Sequence, residues 1–366
     1  MNKSYHNWLD SMNWQLDFYQ KSFRKNRVDN EFDWVWYNSQ IGWKEKLLPF
    51  ARLVVNLFRR QSTAPYKRQW FNKNSKLLWN SRQILSDQLS KLLFDCNILV
   101  TVAGYAKYYY PRIDYDDFIL VQGEKDFVGD LPKSYGGLPL KIFDIKVNGG
   151  LSSPRIKIVS TKSEIDLLNG YRQYFIRRGE VNFLPSKGEV VFDCGACTGD
   201  ISLIFAALVG KSGEVHLFDP VPLHNRYCHL NAALNPKLSH TLHINNLAVS
   251  NISREFSGIT QDAINISPGG CVIDNFTTIS LDDYVSKNNI QHVDYIKMDI
   301  EKSEVPALQG ASAILRKYKP RLAICTYHKP DDLWKIPALI LKLNPKYKIY
   351  FGHHTPMDWE SVYYAE

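Results

Sequence analysis

The sequence predicts an α/β fold in which a mainly parallel sheet is covered by helices, preceded by a helical region and a small β-rich unit. Beyond residue 160, near-continuous apolar segments such as "EVVFDC" and "VDYIKMDI" alternate with helical segments such as "ISLIFAALVG". This alternation is typical of parallel strands joined by helices. Before residue 95, apolar residues recur every three or four positions instead, as in "SRQILSDQLSKLLF", which indicates helices.

These patterns divide the chain into three regions, 1–95, 96–160 and 161–366. In the first, the polar run "QSTAPYKRQ" is expected to separate two helices. In the second, four short aromatic or β-branched segments predict strands: "NILVTVAGYAKYYY", "DDFILVQG", "LPLKIFDIKV" and "RIKIVS".

The third region begins with a helical lead-in and then supplies seven predicted strands: "EVVFDC", "EVHLFD", "HTLHINNLAV", "VDYIKMDI", "RLAICTY", "KYKIYFG" and "ESVYYAE". Helical segments separate most of them. The last two have none between them, so they are expected to form an antiparallel edge.

The charge of the chain is unevenly distributed. Residues 41–95 contain eleven Lys and Arg against three acidic residues, which accounts for the whole net charge of +8. Four interpretations remain open: a docking surface for an anionic substrate, a helical homodimer interface, a peripheral membrane contact, or a solvated helical face. No run reaches the ~18 apolar residues of a membrane span, and the six cysteines are too sparse for a disulfide framework. We therefore expect a cytoplasmic protein.

The stretch "VVFDCGACTGD" contains a C-x-x-C pair, Cys194 and Cys197. Three interpretations of this stretch are open: a redox site, half of a metal site, or a glycine turn in which two cysteines occur. In context it reads as strand, turn and helix, where Gly195 and Gly199 let backbone approach a ligand.

A carboxylate twenty residues after this turn supports a nucleoside site. Asp219 ends the next strand, where a carboxylate can bind both hydroxyls of an adenosine ribose. The stretch lacks G-x-G-x-x-G, and Asp193 would repel a pyrophosphate but attract the amino group of an amino-acid tail. These residues favour S-adenosylmethionine over NAD.

From "VVFDCGACTGD" through "LFDPVPLHNRYCHLNAALN", "NNLAVSN" and "VDYIKMDIEKSEVPALQG", the chain resembles the FkbM family of S-adenosylmethionine-dependent methyltransferases over residues 166–355. The resemblance implies a Rossmann-like class I methyltransferase domain with a seven-stranded mixed sheet, and specifically the bacterial type that modifies surface polysaccharides. Lys302 stands where the family usually has glycine. The implied cofactor contacts are Asp193, Gly195, Ala196, Gly199, Asp219 and Ala248.

The resemblance also implies methyl transfer to a hydroxyl, which needs an aligned nucleophile and a base. His328, after "RLAICTY", is the preferred base because imidazole accepts protons near neutral pH. Asp299 is expected to orient the acceptor or the cofactor's amino group, and Glu304 to hold His328 or a sugar hydroxyl. Each of these residues also has a purely structural interpretation. His328 could be hydrogen-bonded within its loop, Asp299 could be a strand-end carboxylate bonded to backbone amides, and Glu304 could be an acid favoured in the first turn of a helix. Mg²⁺ between Asp299 and Asp331 or Asp332 is open, but no metal is assigned.

The leading hypothesis is an O-methyltransferase acting on a sugar, nucleotide-sugar or lipid-linked glycan. A polyketide acceptor, a thiol oxidoreductase using the C-x-x-C pair, and a non-catalytic adenosine-binding scaffold are the alternatives. Nucleic acid is not an expected partner, because "DIEKSE" lacks the proline-rich aromatic motif of methyltransferases that act on base amino groups.

Overall fold

The computed structural model describes residues 3–21, 49–104, 118–135, 137–148, 154–257, 275–355 and 359–366. The chain forms two compact units. One comprises residues 1–113, 136–138 and 350–361, and the other comprises residues 114–135, 139–349 and 362–366. The described part of the predicted β-rich segment falls mostly within the second unit.

The first unit is helical, with α1 (Lys3–Lys21), α2 (Pro49–Gln83) and α3 (Gln88–Ala103). Trp8 and Trp79 are core residues of this unit: their rings lie 5.4 Å apart, and the Trp8 indole nitrogen donates to Asp95 over 2.9 Å. Asp95 also pairs with Arg82. The structure thus gives these aromatic residues a packing role. No described helix has both the length and the apolar character needed to cross a membrane.

Two predictions for this region are wrong. The polar run "QSTAPYKRQ" lies inside α2, because polar residues without a glycine stop do not by themselves end a helix. The predicted strand "NILVTVAGYAKYYY" begins inside α3, whose residues from Cys96 to Val100 are all buried, and its end lies outside the described residues. A segment buried on all sides loses the amphipathic period that would mark it as a helix.

The predicted β-rich segment contributes four strands: β1 (Ile119–Asp126), β2 (Ser134–Tyr135), β3 (Leu138–Val147) and β4 (Arg155–Thr161). β3 pairs antiparallel with β1 and β4. Strand β4 is fixed to the following region, since Asn231 Oδ1 accepts from the Val159 amide over 2.8 Å. This contact explains why the segment is not a separate unit.

The seven-stranded sheet has the order β15-β16-β14-β13-β7-β8-β9. Its strands are β7 (Val190–Cys194), β8 (Glu214–Phe218), β9 (Leu242–Asn245), β13 (Tyr295–Met298), β14 (Arg321–Cys325), β15 (Ile349–His353) and β16 (Ser361–Ala365). The five strands from β14 to β9 are parallel, and β16 is antiparallel to β14. The predicted mixed sheet is confirmed.

Helices and short strands connect these elements. The helices are α4 (Lys162–Tyr171), α5 (Asp200–Val209), α6 (Pro222–Leu234), α7 (Leu281–Lys287), α8 (Glu304–Gln309), α9 (Ser312–Lys317) and α10 (Asp332–Leu343). The short strands are β5 (Arg177–Arg178), β6 (Val181–Asn182), β10 (Ala248–Val249), β11 (Arg254–Ser257) and β12 (Asn275–Ile279). The last three form a separate small sheet.

The register of the central strands aligns their carboxyl ends. Cys194, the last residue of β7, is level with Phe218 at the end of β8 and with Met298 at the end of β13. The next residue of each strand is therefore level too, and these three residues are Gly195, Asp219 and Asp299. Ligands of open α/β sheets bind at this edge.

Candidate active site

A cavity of about 450 Å³ opens at the carboxyl ends of β7, β8 and β13. Gly195, Asp219 and Asp299 all line it, as does the predicted contact Ala248. The volume is within the roughly 300–1,000 Å³ range of small-molecule sites. The residue after each of three neighbouring strands thus faces one cavity, and we call these three the strand-end row.

Gly195 permits the close approach of two strand ends. Its φ is +84°, and a Cβ atom there would lie 1.8 Å from the carbonyl oxygen of Asp299. A side chain is therefore excluded by backbone conformation and by space. Gly199 precedes α5 with φ +79°, and its Cβ would lie 3.0 Å from the Cys228 sulfur. Ala196 is buried between them at 2% exposure.

Asp219 is held by donors on both carboxylate oxygens. Oδ1 accepts from the Val221 amide over 2.9 Å and is 3.0 Å from His224 Nδ1, while Oδ2 accepts from the Cys197 amide over 2.9 Å. A carboxylate offers about four lone-pair sites. One site remains on Oδ2, which allows this carboxylate to accept from one ribose hydroxyl, where the sequence suggested two.

Tyr135 is a cavity residue that sequence reasoning missed. Its hydroxyl lies 3.1 Å from His224 Nε2 and 3.3 Å from the Cys197 sulfur, so it extends the Asp219 network. Burial and the neighbouring Cys197 raise the pKa of this phenol. Tyr135 belongs to β2, and no local sequence signal connects that strand to the turn after β7.

Asp193 has a different environment from the predicted one. It lies inside β7 opposite Lys297 of β13, is fully buried, and forms an ion pair with Lys297 Nζ at 3.0 Å. Ser202 donates to its other oxygen over 2.5 Å. Asp193 therefore neutralises a buried lysine beneath the cavity and does not reach a cofactor's amino group.

The C-x-x-C cysteines lack the features of a redox pair. Both are free thiols, and Cys194 is fully buried. Burial and the nearby carboxylates of Asp193 and Asp219 raise the pKa of Cys194 and Cys197, respectively. Reactive cysteines need the opposite shift, so this arrangement does not favour the thiol oxidoreductase hypothesis.

Asp299 is the member of the strand-end row that follows β13. Tyr174 donates to Oδ2 over 2.8 Å, Tyr327 donates to Oδ1 over 3.1 Å, and His328 Nε2 lies 3.3 Å from Oδ1. Burial opposes ionisation, but the charges of His328 and Lys297 and the two tyrosine hydrogen bonds outweigh it and hold the pKa below its usual range. Asp299 is thus suited to hold a cation.

His328 does not match its predicted role as the base. Its side chain is only 6% exposed, and the residue does not line the cavity. Burial opposes its charge, but the hydrogen bond to Glu304 and the charges of Asp299, Glu304 and Glu301 outweigh burial and raise its pKa to about 9. At neutral pH the ring is protonated and cannot accept another proton.

Glu304 holds His328, which was one of its two predicted roles. Its Oε1 lies 2.8 Å from His328 Nδ1 and accepts from the Ile300 amide over 3.0 Å. The residue is fully buried, so it does not reach a sugar hydroxyl. Glu304 therefore positions the histidine and the turn that follows β13.

Glu301 is the second cavity residue that the sequence analysis did not select. It lines the cavity with a side chain 41% exposed. Burial raises its pKa, with the charges of Asp299 and Glu304 adding to the shift against the opposing His328. The acidic segment "KMDIEKSE" was the sequence signal for this residue. The sequence did not show which of its three acids, Asp299, Glu301 or Glu304, lies next to the acceptor.

Lys302 keeps the backbone conformation expected of the family's glycine. Its φ is +83°, in the region that favours glycine. Lys329 Nζ donates to its carbonyl oxygen over 2.5 Å. The turn is therefore preserved although the side chain is large.

The predicted metal partners of Asp299 have other contacts. Asp332 accepts from the Lys329 amide over 2.8 Å, and Asp331 pairs with Lys335. Both lie at the start of α10, where acidic side chains are favoured by the helix dipole. Neither lines the cavity, so this pair gives no support to Mg²⁺.

A family model supplies an independent comparison. Residues 193–351 match the Methyltransferase FkbM domain. The match begins in β7, includes all three members of the strand-end row and ends in β15. It confirms the FkbM resemblance over these residues.

Solved structures provide a second comparison. Methyltransferase FkbM from Methylobacillus flagellatus KT is similar with a TM-score of 0.54 and 18% identity, over 81% of this chain and 60% of that chain. This chain thus spans about three fifths of that structure, and the likeness shows a shared fold. No curated protein matches the chain significantly.

Weaker likenesses extend to two other methyltransferase-fold structures. Fibrillarin from Aeropyrum pernix, in complex with natively bound S-adenosyl-L-methionine, has a TM-score of 0.35 and 12% identity, over 62% of this chain and 94% of that chain. A putative rRNA-methylase from Clostridium thermocellum has a TM-score of 0.33 and 13% identity, over 50% of this chain and 87% of that chain.

Proposed function

We propose that this chain is a methyltransferase of the FkbM family that uses S-adenosylmethionine to methylate a hydroxyl of a sugar or glycan intermediate. The observation that carries the proposal is the strand-end row: Gly195, Asp219 and Asp299 are level in register and face one cavity. The domain match over residues 193–351 supports it.

The residues of the cavity fit this cofactor. The free lone pair of Asp219 accepts from the ribose, and Gly195 lets backbone lie close to the amino-acid tail. Asp299, anionic and one-quarter exposed, pairs with the tail's ammonium group in place of Asp193. When bound, the cofactor supplies a methyl group activated by a sulfonium.

Glu301 is the general base in this proposal. A raised pKa makes a carboxylate a better proton acceptor, and this one is exposed to the cavity. Glu301 would accept the proton of the acceptor hydroxyl as its oxygen takes the methyl group, and S-adenosylhomocysteine would leave as a neutral thioether. The protonated His328 stabilises the neighbouring carboxylates but takes no part in proton transfer.

The lining near Glu301 favours a polar acceptor. Lys302, Lys329 and Arg254 line the same cavity as Glu301, and an apolar polyketide would leave these charges desolvated without partners. The three cations suit an acceptor that carries phosphate, such as a nucleotide-linked or lipid-linked sugar. A polyketide is therefore included as the alternative acceptor in the test of acceptor class described below.

Titration calorimetry with S-adenosylmethionine tests the cofactor. We expect binding by the wild type and by Asp126→Asn, an exposed control on β1, and weakening by about 10- to 100-fold in Asp219→Asn, because a hydrogen bond to a charged group is worth about 1.5–3 kcal/mol. Equal affinity in both variants would remove the basis of the proposal.

Release of S-adenosylhomocysteine tests the acceptor class. The chain is incubated with S-adenosylmethionine and, separately, with monosaccharides, nucleotide-linked sugars and a macrolactone polyketide. We expect product with a sugar-bearing acceptor. Product with the macrolactone alone would redirect the proposal to polyketides, and cofactor binding without product in any arm would favour the scaffold alternative.

Assembly and location remain proposals as well. We propose a cytoplasmic homodimer formed through the N-terminal helices, since Trp14 and Phe18 of α1 stack with their rings 5.8 Å apart while 68% and 54% exposed. Light scattering of Trp14→Ser against the wild type tests it. A monomeric wild type would contradict it.

A further inference from the structure

A second cluster of ligand-type side chains lies on the edge strands β8 and β9, away from the cavity. Glu214 begins β8, His216 follows on the same face two residues later, and His243 of β9 is the register partner of His216. Glu214 Oε2 lies 3.0 Å from His216 Nε2 and 3.8 Å from His243 Nε2. One ligand atom of each residue lies within 4.8 Å of the others.

A hydrogen-bond chain through Asn245 and Tyr284 orients His216. The Asn245 amide nitrogen donates to the Leu217 and His243 carbonyl oxygens over 3.0 and 2.9 Å, so Asn245 Oδ1 is left to accept. The Tyr284 hydroxyl donates to that oxygen over 3.3 Å. The Tyr284 oxygen, 2.9 Å from His216 Nδ1, must then accept from the ring.

This order of donors leaves a lone pair on His216 Nε2. The lone pair faces the Glu214 carboxylate at 3.0 Å, an arrangement that is repulsive unless a cation lies between the two atoms. His216 is 4% exposed, so the protein holds this nitrogen and the carboxylate oxygen together with little access for water.

We propose that Glu214, His216 and His243 bind one divalent transition-metal ion of the Zn²⁺ type. Two imidazole nitrogens and one carboxylate oxygen form a ligand set used for zinc, with a fourth position open to water. Tyr284 holds the ring of His216 as second-shell partners of metal-bound histidines do. His243 is exposed, with its side chain at 43%, so its ring is free to tilt from its stack on His216 towards the ion.

The position of this site indicates a structural role. β9 is the edge strand of the seven-stranded sheet and pairs with β8 alone in the strand order. An ion held by both strands crosslinks them outside their hydrogen-bond ladder. The cavity lining contains none of the three ligands, so the proposal does not depend on the proposed function.

Zinc titration of the full chain, freed of metal with a chelator, tests the site. We expect one equivalent of Zn²⁺ bound by the wild type and by His229→Ala, an exposed-histidine control on α6. His243→Ala is expected to lose that equivalent, and because the side chain is 43% exposed the substitution leaves no cavity in the core. Mg²⁺ is expected not to compete, because it prefers oxygen ligands. Zinc binding that is unchanged in His243→Ala, or absent from the wild type, would overturn the proposal.

Tyr284→Phe separates a metal site from a chance cluster. Removing the hydroxyl leaves His216 Nδ1 without its acceptor, and loss of such a partner typically weakens metal affinity by about 10- to 100-fold. Zinc should also raise the Tm of the wild type and of His229→Ala but not that of His243→Ala. Wild-type affinity in Tyr284→Phe, or an equal zinc effect on the Tm of all variants, would contradict it.

Discussion

Asp193 and Asp299 lie on neighbouring strands of one sheet, yet their surroundings are opposite. Asp193 is the fourth residue of β7, fully buried against Lys297. Asp299 is the first residue after β13 and faces the cavity between two tyrosine hydroxyls and His328. Two residues of register separate an internal ion pair from a ligand-facing anion. Whether a strand-end acid meets a ligand therefore depends on where the strand ends.

The largest expected effect falls on the buried side of this comparison. Lys297→Met leaves Asp193 charged and unpaired in the core, which should lower the free energy of unfolding by about 3–5 kcal/mol. Lys162→Met, which breaks an exposed pair with Asp166, should change it by less than about 1 kcal/mol. Urea unfolding measures both. Equal losses of unfolding free energy in the two variants would mean that the buried Asp193–Lys297 pair stabilises the fold no more than the exposed pair does.

The cavity side of the comparison is expected to respond to pH. The pKa of His328, raised to about 9, lies above its unfolded value of about 6.5. The associated stability is complete below about pH 6.5 and is lost as pH rises through about 9, and a shift of this size corresponds to about 3 kcal/mol. Urea unfolding from pH 6.5 to 10 should show this decline in the wild type.

His328→Gln provides the comparison for that decline. The glutamine cannot carry the charge, so its unfolding free energy should vary less over the same pH range. Parallel pH curves for the wild type and His328→Gln would show that the ring is neutral. His328 would then regain its role as a candidate base.

Much of the sheet was predictable from the sequence, whereas the roles of its acids were not. Apolar runs and glycine turns placed β7, β8 and β13 correctly, because buried parallel strands have a strong local pattern. The protonation of His328 depends on three carboxylates that only the tertiary fold brings to it. Similarly, the run of buried residues from Cys96 to Val100 hid the helical character of this part of α3.

Glu301→Gln tests which acid of the cavity side accepts the proton. We expect kcat to fall by about 10²-fold or more, with little change in S-adenosylmethionine affinity, because proton transfer to a positioned base contributes about 10²–10⁴-fold. Glu255→Gln, an exposed residue of β11 outside the cavity lining, is the control. Assays use the acceptor found by S-adenosylhomocysteine release. Unchanged kcat in Glu301→Gln would show that proton loss needs no base at this position.

The smallest effect concerns the turn that presents Asp299 to the cavity. Lys302 holds φ at +83°, a conformation that costs a non-glycine residue about 1–3 kcal/mol. Lys302→Gly relieves this strain but increases the freedom of the unfolded chain, which offsets about 0.4–1 kcal/mol. The net gain in unfolding free energy should be about 1 kcal/mol. Lys237→Gly, at an exposed position without a positive φ, should be destabilising instead. A loss of stability in Lys302→Gly would mean that the lysine's own contacts outweigh the strain of the turn.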